Sequence, residues 1–484
     1  MLTNFPHEIL LIITGHLDRT DIINLAKCNR QLDLNIRPAI FREIEIKDKC
    51  FWTLSHLVHL MLRKPAYAQA VCDLRITPTR APCRCGKCND IVLDRELIEP
   101  ILKASVDETE KETVWYEDLT KGTNADAWVA LLLPHLTNLQ AFHLPLEYSP
   151  WIDQVLLHAE NCKELFPEEP PLLPRLTKIY AICSEPTRRR GGGAVPFLRL
   201  PSLRSFRAIC SVLETRKTRD LEKMPQGFSN VTDIFIIAMA SERSLHWLIN
   251  SCKRLEYFLY IQTTGRVAAA NSPSRVCKSL YRHRETLQLL AYRGYDVDIP
   301  RVGQKEASKS DVEDSSDDEN SDTDLRDEFL GSLADFSSLR GIHVRASNIV
   351  DPIADPDPTH DMRRLSEYLP SSLDIINLYD FTSCDTFRLT TQLEYLVSIA
   401  RQHFPCLVKI VLGVDFPAFS CNSHESKPPS NGLSPAEQQL SSLAGHELYT
   451  SLKKLCTLCN EAGVKFRISH RKGNRQTLTD IICG

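Results

Sequence analysis

Leu133-Pro134-His135-Leu136-Thr137 and Leu173-Pro174-Arg175-Leu176-Thr177 lie 40 residues apart and share every residue but the third. Each opens a longer phrase, an anchor apolar residue followed by apolar residues at +3 and +5. The phrase returns as Leu136/Leu139/Ala141, Leu176/Ile179/Ala181, Leu203/Phe206/Ala208, Val231/Ile234/Ile236 and Leu255/Phe258/Tyr260. It continues as Leu287/Leu290/Tyr292, Leu339/Ile342/Val344, Leu373/Ile376/Leu378 and Leu407/Ile410/Leu412. Seven of the nine carry an apolar residue or cysteine at −3: Leu133, Leu173, Leu200, Phe228, Cys252, Phe336 and Phe404. An alternation of +3 and +5 has period two, so each phrase predicts a short strand with one buried face. Stripes at helical spacing flank several phrases. Leu245, Leu248, Ile249 and Cys252 form one, Leu393, Leu396, Val397 and Ala400 another, and Leu440, Leu443, Leu448, Leu452 and Leu455 a third.

Helix, turn and short strand in repetition predict an α/β solenoid with a parallel sheet. The phrase resembles the leucine-rich repeat, whose core is Leu-x-x-Leu-x-Leu. Two features depart from that family. The anchors between Leu136 and Leu407 have a mean spacing of about 34 residues, against about 20–29 in the family. No regular Asn or Cys follows the phrase to satisfy its turn. Val464, Phe466 and Ile468 supply a further strand near residue 466.

The chain has 484 residues, 43% hydrophobic and 25% charged, the composition of a soluble globular protein. Its formal charge of −4 conceals an asymmetry, because Asp311 to Glu328 hold ten acids against Arg326 alone. That leaves the remainder mildly basic and dispersed, which excludes the concentrated patch of a nucleic-acid-binding protein. Seventeen cysteines follow no framework spacing. The opening residues lack a basic n-region and Glu8 interrupts their apolar run, so a secretory signal is not expected. Reduced thiols in the cytoplasm or nucleus follow. The longest apolar stretch, Ala130 to Leu146, is interrupted by Pro134 and two histidines, so no membrane span is expected.

At the other end of the chain, Phe5-Pro6-His7-Glu8-Ile9-Leu10 is followed by Ile13, Leu17, Ile22 and Leu25. Pro6 suits a first helical turn, where its missing N–H is no loss. Ile9, Leu10, Ile13 and Leu17 then make one apolar stripe. Asp18 and Thr20 offer caps for a second helix, Asn29-Arg30 ends it, and Leu32 and Leu34 open a third segment closed by Pro38. Over residues 1–48 this pattern resembles the F-box, with Phe5-Pro6 in place of the usual Leu-Pro. Ile40 to Ile46 look like the strand that follows the box in many fungal members. The resemblance implies that Phe5, Pro6, Ile9, Leu10, Ile13, Leu17, Ile22 and Leu25 hold the small Skp adaptor, and through it a cullin-RING ubiquitin ligase. Residues 49–130 are then a connecting region, and 131–484 the repeat region that binds a protein substrate. A segment of about 45 residues cannot build a self-sufficient core, so it either docks on the rest of the chain or shares its apolar faces with a partner. The alternative to a ligase adaptor is a scaffold without ligase function.

Nothing in the sequence argues for catalysis or a cofactor. Cys83-x-Cys85-x-x-Cys88, with Cys72 upstream, crowds three thiols into six residues without the paired spacing of a zinc site, and reads as a thiol-rich loop. Cys456-x-x-Cys459 falls in a helical stretch as small apolar residues. His56 and His59 lack the glutamate of a metalloprotease motif. Arg188-Arg189-Arg190-Gly191-Gly192-Gly193 lacks the Lys-Ser/Thr and glycine spacing of a phosphate cradle.

Residues from about 303 to 327 are too charged and too poor in large apolar residues to join a core, and read as a disordered acidic insert. Ser310, Ser315, Ser316 and Ser321 each have an acid at +3, the pattern read by acidophilic casein-kinase-type kinases. Each phosphate would add about −1.5 to −2 charges. Loop closure costs only about 0.6 kcal/mol per doubling of length. Joining Gly303 directly to Leu325 is therefore expected to leave the melting temperature within a few degrees, measured by calorimetry. A large drop would mean that the insert packs against the repeats.

Overall fold

The computed structural model describes residues 5–46, 51–76, 93–105, 109–121, 125–145, 150–165, 171–182, 195–213, 225–262, 272–294, 329–349, 365–381, 386–414 and 446–470. The serines of the acidic insert, Cys83, Cys85, Cys88 and the Arg188–Gly193 run lie outside the described residues. The chain divides into two compact units, residues 1–254 and 255–484.

In the first unit six strands pair in chain order, each parallel to the next. They are β1 (Glu43–Ile46), β2 (Asp73–Ile76), β3 (Ala141–Pro145), β4 (Lys178–Ile182), β5 (Ser205–Leu213) and β6 (Asp233–Ala240). Parallel neighbours require a return segment between every pair. Among the described residues these include α4 (Phe51–Arg63) and α5 (Pro65–Ala70), then α6 (Arg95–Ser105), α7 (Thr109–Lys121), α8 (Ala125–Leu132) and α9 (Pro150–Leu165). Before the ladder come α1 (His7–Gly15), α2 (Arg19–Cys28) and α3 (Arg30–Ile36); after it comes α10 (Glu242–Ser251).

The second unit repeats the plan with β7 (Tyr257–Ile261), β8 (Leu289–Arg293), β9 (Gly341–Arg345), β10 (Ile375–Phe381), β11 (Lys409–Val414) and β12 (Lys465–His470). Its helices are α11 (Pro273–Leu280), α12 (Leu365–Tyr368), α13 (Thr386–Ser398), α14 (Ala400–His403) and α15 (His446–Ala462). The strand expected near residue 466 is β12, with Val464, Phe466 and Ile468 buried.

One register runs through each ladder. Leu74, Phe142, Ile179, Phe206 and Ile234 stand side by side at +3, all buried. In the second unit Phe258, Leu290, Ile342, Ile376, Ile410 and Phe466 do the same. This corrects the first phrase of the series. Phe142 pairs with Ile179, so the anchor is Leu139 with Phe142 and Leu144 inward, and Leu136 takes the −3 place. Leu133, Leu136, Leu139 and Phe142 are spaced by three and all are buried, so the verbatim Leu-Pro-x-Leu-Thr points to a register three residues early.

The ladder also begins earlier than expected. Ala68, Val71, Leu74 and Ile76 form a complete phrase ending in β2, and β1 pairs with it. Among the described residues of the stretch 49–130, those leading into β2 therefore belong to the repeat array. Where no extra segment intervenes the spacing contracts, to 27 residues from Leu176 to Leu203 and 28 from there to Val231. The long mean spacing reflects longer intervals such as that from Leu287 to Leu339, which holds the acidic segment.

Backbone carbonyls tie successive coils. In the first unit the oxygens of Arg42, Cys72, Gln140, Thr177 and Arg204 each accept two N–H groups from the next coil, at 2.8–3.1 Å. In the second, those of Glu256, Gln288, Arg340 and Asp374 do so at 2.7–3.1 Å. All sit one residue after an anchor. Short polar side chains one residue before the anchor add a second tie. Asn138 donates to the Gln69 carbonyl, Ser202 to that of Leu173 and Asn230 to that of Pro201. Thr286, Ser338 and Ser372 reach the carbonyls of Leu255, Glu285 and Leu339. These contacts do the work that a regular Asn after the phrase would do, satisfying buried backbone groups where the chain turns.

Helices α7 to α9 form a tryptophan-rich layer. Trp115 stacks on Trp151 at 4.9 Å and donates to the Ala127 carbonyl, while the Trp151 indole donates to Asp118. The main-chain N–H of Trp151 donates to Asp126. Asp153 lies beside this layer with Oδ1 buried and lacking a hydrogen-bond partner. Burial, then the nearby Asp126 charge, pushes its carboxyl up from 3.8 to about 7. The folded protein thus holds a proton that the unfolded chain releases between about pH 4 and pH 7. Stability falls as pH rises through that window and levels off above it. Asp153→Asn is expected to raise the melting temperature at pH 8, with the gain shrinking toward pH 4 in calorimetric scans. A gain equal at both values would contradict this assignment.

Candidate functional site

The three N-terminal helices expected from the sequence are built by local rules. Asp18 accepts from the Asp21 N–H at 2.8 Å to cap α2, and Asn29 caps α3 by accepting from Gln31 N–H at 2.7 Å. Pro6 occupies the N-cap position of α1. Their core is Leu10, Ile22, Ala26, Leu32 and Ile36, with Leu17, Leu25 and Ile40 packed against it. Leu10 and Ile22 face inward, so they hold the helices together and present no surface. Ile13, Leu17 and Leu25 are half-buried. Of the predicted residues, Phe5, Pro6 and Ile9 are exposed.

Two residues missed by the stripe analysis join them. Ile12 on α1 and Leu34 on α3 are 59% and 66% exposed, beside 46% for Phe5 and 40% for Ile9. Ile9 and Ile12 stand three residues apart on α1, and Phe5 lies just before its N-cap, Pro6. The signal was present in the sequence: α1 is apolar nearly all round, more than one buried stripe can absorb. The helices also dock on the first coil, where Phe41 stacks on Tyr67 at 4.6 Å.

A second kind of surface lies along the sheets, at +2, +4 and +6, whose side chains point away from the buried face. In the first unit His143, Tyr180, Arg207 and Phe235 occupy successive strands in register. His143 and Tyr180 stack flat at 4.0 Å. The Arg207 guanidinium lies 5.2 Å from the Tyr180 ring centre and 5.7 Å from that of Phe235. Burial lowers the pKa of His143, with Asp73 opposing at 3.7 Å. Beside this ladder Ile182, Ile209 and Ile237 form an aliphatic row, with Ile182 and Ile209 exposed. Rigid aromatic and guanidinium groups next to exposed aliphatics are the composition of protein-binding hot spots.

In the second unit the outward positions have a different charge. Tyr379 crosses β9 to donate its hydroxyl to the Tyr292 carbonyl at 2.6 Å. Its ring meets His343 edge-on at 5.2 Å and carries the Arg293 guanidinium 5.2 Å from its centre. Gly413 makes room: an added Cβ would come 3.2 Å from the Tyr379 Cβ. Burial and the charge of Arg293 lower the pKa of His343.

Neither surface is laid out for bond chemistry. His59 hydrogen-bonds the Ser55 carbonyl through Nδ1 and accepts the Asp94 N–H through Nε2. Both ring nitrogens are thereby used, and burial lowers its pKa. His56 bonds the Trp52 carbonyl. Cys459 is a buried free thiol, pushed up by burial to about 12, whereas Cys456 is disulfide-bonded and not the small apolar residue expected from the sequence. No group of three or more potential metal ligands occurs among the described residues. No helix among them is long and apolar enough to cross a membrane.

A family model described as a leucine-rich repeat domain matches residues 52–416, well over half of the chain. No curated protein matches the chain. The match starts at residue 52 and so takes in β2, ahead of the first phrase read from the sequence. Such domains bind proteins, which accords with the outward rows of both sheets. The chain is a member of the leucine-rich repeat family.

Proposed function

We propose that the chain is a substrate-recruiting adaptor of an SCF-type cullin-RING ubiquitin ligase, with the N-terminal helices acting as an F-box that docks the Skp adaptor. The observation that carries the reading is the exposure of Phe5, Ile9, Ile12 and Leu34. A helical cap serving stability alone has its core in Leu10, Ile22, Leu32 and Ile36 and gains nothing from four more large apolar groups in water. In this reading the outward rows of the sheets hold the protein substrate. Catalysis is by proximity: the chain performs no bond chemistry and raises the effective concentration of substrate lysines near the loaded ubiquitin enzyme. The place of action in this reading is the cytoplasm or nucleus, where cullin-RING ligases work. Phosphorylation of Ser310, Ser315, Ser316 or Ser321 would add negative charge to the insert.

A scaffold that uses the same helices without ligase activity is the second reading, and the two differ in whether cullin and RING subunits accompany the adaptor. The test replaces Ile9 and Ile12 with aspartate, leaving Leu10 in the core. Interface hot spots cost about 2–4 kcal/mol on loss, on the order of thirtyfold or more in affinity. Adaptor co-purification is expected to disappear while circular dichroism and melting temperature stay near wild type. Undiminished adaptor binding by the folded variant would overturn the proposal.

A further inference from the structure

Between the N-terminal helices and the first coil lies an open cleft of about 360 Å³. It shares no residue with the exposed patch of Phe5, Ile9, Ile12 and Leu34. Its apolar lining is Ile23, Ala26, Ile40, Phe41, Leu60 and Tyr67, drawn from α2, the one-turn helix Arg37–Phe41 that follows α3, α4 and α5. Phe41 and Tyr67 are the stacked pair that joins the helices to the first coil. Leu60 is 36% exposed, so one apolar wall stands in water. A joint that served stability alone would close over these groups, as protein interiors do.

The charge of the cleft is one-sided. Lys27, Arg37 and Lys64 line it against Asp33 alone. Asp33 is already engaged, because both of its oxygens accept from Arg37. Arg37 also bonds the Tyr67 side chain. That network anchors the Tyr67 ring and leaves two cations over. The Lys64 amine lies 5.4 Å from the Tyr67 ring centre. Lys27 and Lys64 are both exposed, and neither pairs with a carboxylate among the described residues.

We infer that this cleft receives an acidic segment of a protein partner, with one aromatic side chain seated among the apolar walls and carboxylates on either side meeting Lys27 and Lys64. The volume stands near the lower end of the range for ligand pockets, about 300–1,000 Å³, which suits a single anchored side chain. Small ligands need about 70–90% of their surface buried, and an open cleft does not supply it. A peptide needs only its anchor enclosed, and aromatic anchors in pockets dominate interface hot spots. Charge complementarity selects the flanking acids. The inference does not depend on the ligase reading, since neither the adaptor patch nor the sheets contribute to the cleft.

The test uses the full chain and a fluorescein-labelled peptide carrying one tryptophan between glutamates, read by anisotropy. Binding that weakens with salt is expected, with a loss of about tenfold or more in Lys27→Glu/Lys64→Glu, whose side chains are exposed. Lys253→Glu/Lys278→Glu, the same charge change on exposed residues outside the cleft, is expected to leave affinity within about twofold. Equal loss in both variants would reduce the effect to net charge and overturn the inference. The same peptide with serine in place of tryptophan is expected to bind about tenfold or more weakly. Undiminished binding of that peptide would remove the aromatic anchor and overturn the inference as well. Two results would name another occupant and overturn the partner assignment. One is a gain of about tenfold or more on removal of residues 303–327, which would make the chain's own insert the occupant. The other is self-association of the wild type that Lys27→Glu/Lys64→Glu abolishes, which would make it a second copy. Adaptor binding is expected to be unchanged in Lys27→Glu/Lys64→Glu. Its loss in the folded variant would merge the cleft with the adaptor surface and overturn the claim of a separate site.

Discussion

Within each unit most coils are fastened to the next by a single backbone oxygen that accepts two N–H groups, one residue past an anchor. Everything else depends on that tie. It fixes the strands in parallel register, and register decides which side chains point inward, because a shift of one residue would turn every side chain to the opposite face. Phe142, Ile179, Phe206 and Ile234 can form one buried row only because their strands start from equivalent ties. The polar residues before the anchors, such as Ser202, Asn230 and Ser372, reinforce it without demanding one residue type. That tolerance explains how insertions as long as α6 to α8 fit between β2 and β3.

Much of this was legible in the sequence because burial leaves a periodic trace. Eight of nine anchors read from period-two phrases stand in the observed register. The exception, at 136, failed because Leu133, Leu136, Leu139 and Phe142 offer equivalent leucine-like spacings and only strand pairing chooses among them. The coil ending in Leu74 and Ile76 leaves a fainter trace because Ala68 and Val71 stand where most later coils carry larger apolar residues. The ties themselves left little trace, since a backbone carbonyl carries no sequence signature and the residue before the anchor is Asn, Ser or Thr in some coils and Arg in others.

The surfaces were less legible than the core. Side chains that face solvent are constrained by neighbours on other strands, so the stack of His143 on Tyr180 under Arg207 appears only once the register aligns residues about 30 apart. In the N-terminal helices, helical spacing identified apolar residues but not which of them are left outside. Leu10 and Ile22 are committed to the core, whereas Ile12 and Leu34, absent from the predicted set, remain in water. A partner surface is thus the remainder after the fold has taken what it needs.

The register of the first unit is tested most directly at two adjacent residues of β3. Phe142 is buried and Ala141 faces outward between Asp73 and Lys178. Thermal and denaturant unfolding of Phe142→Ala and Ala141→Lys should give unequal costs. The first is expected to cost about 3–5 kcal/mol, and the second, half-buried on the outward face, about 1 kcal/mol. A tolerated Phe142→Ala together with a severely destabilised Ala141→Lys would place Ala141 in the core and contradict this register.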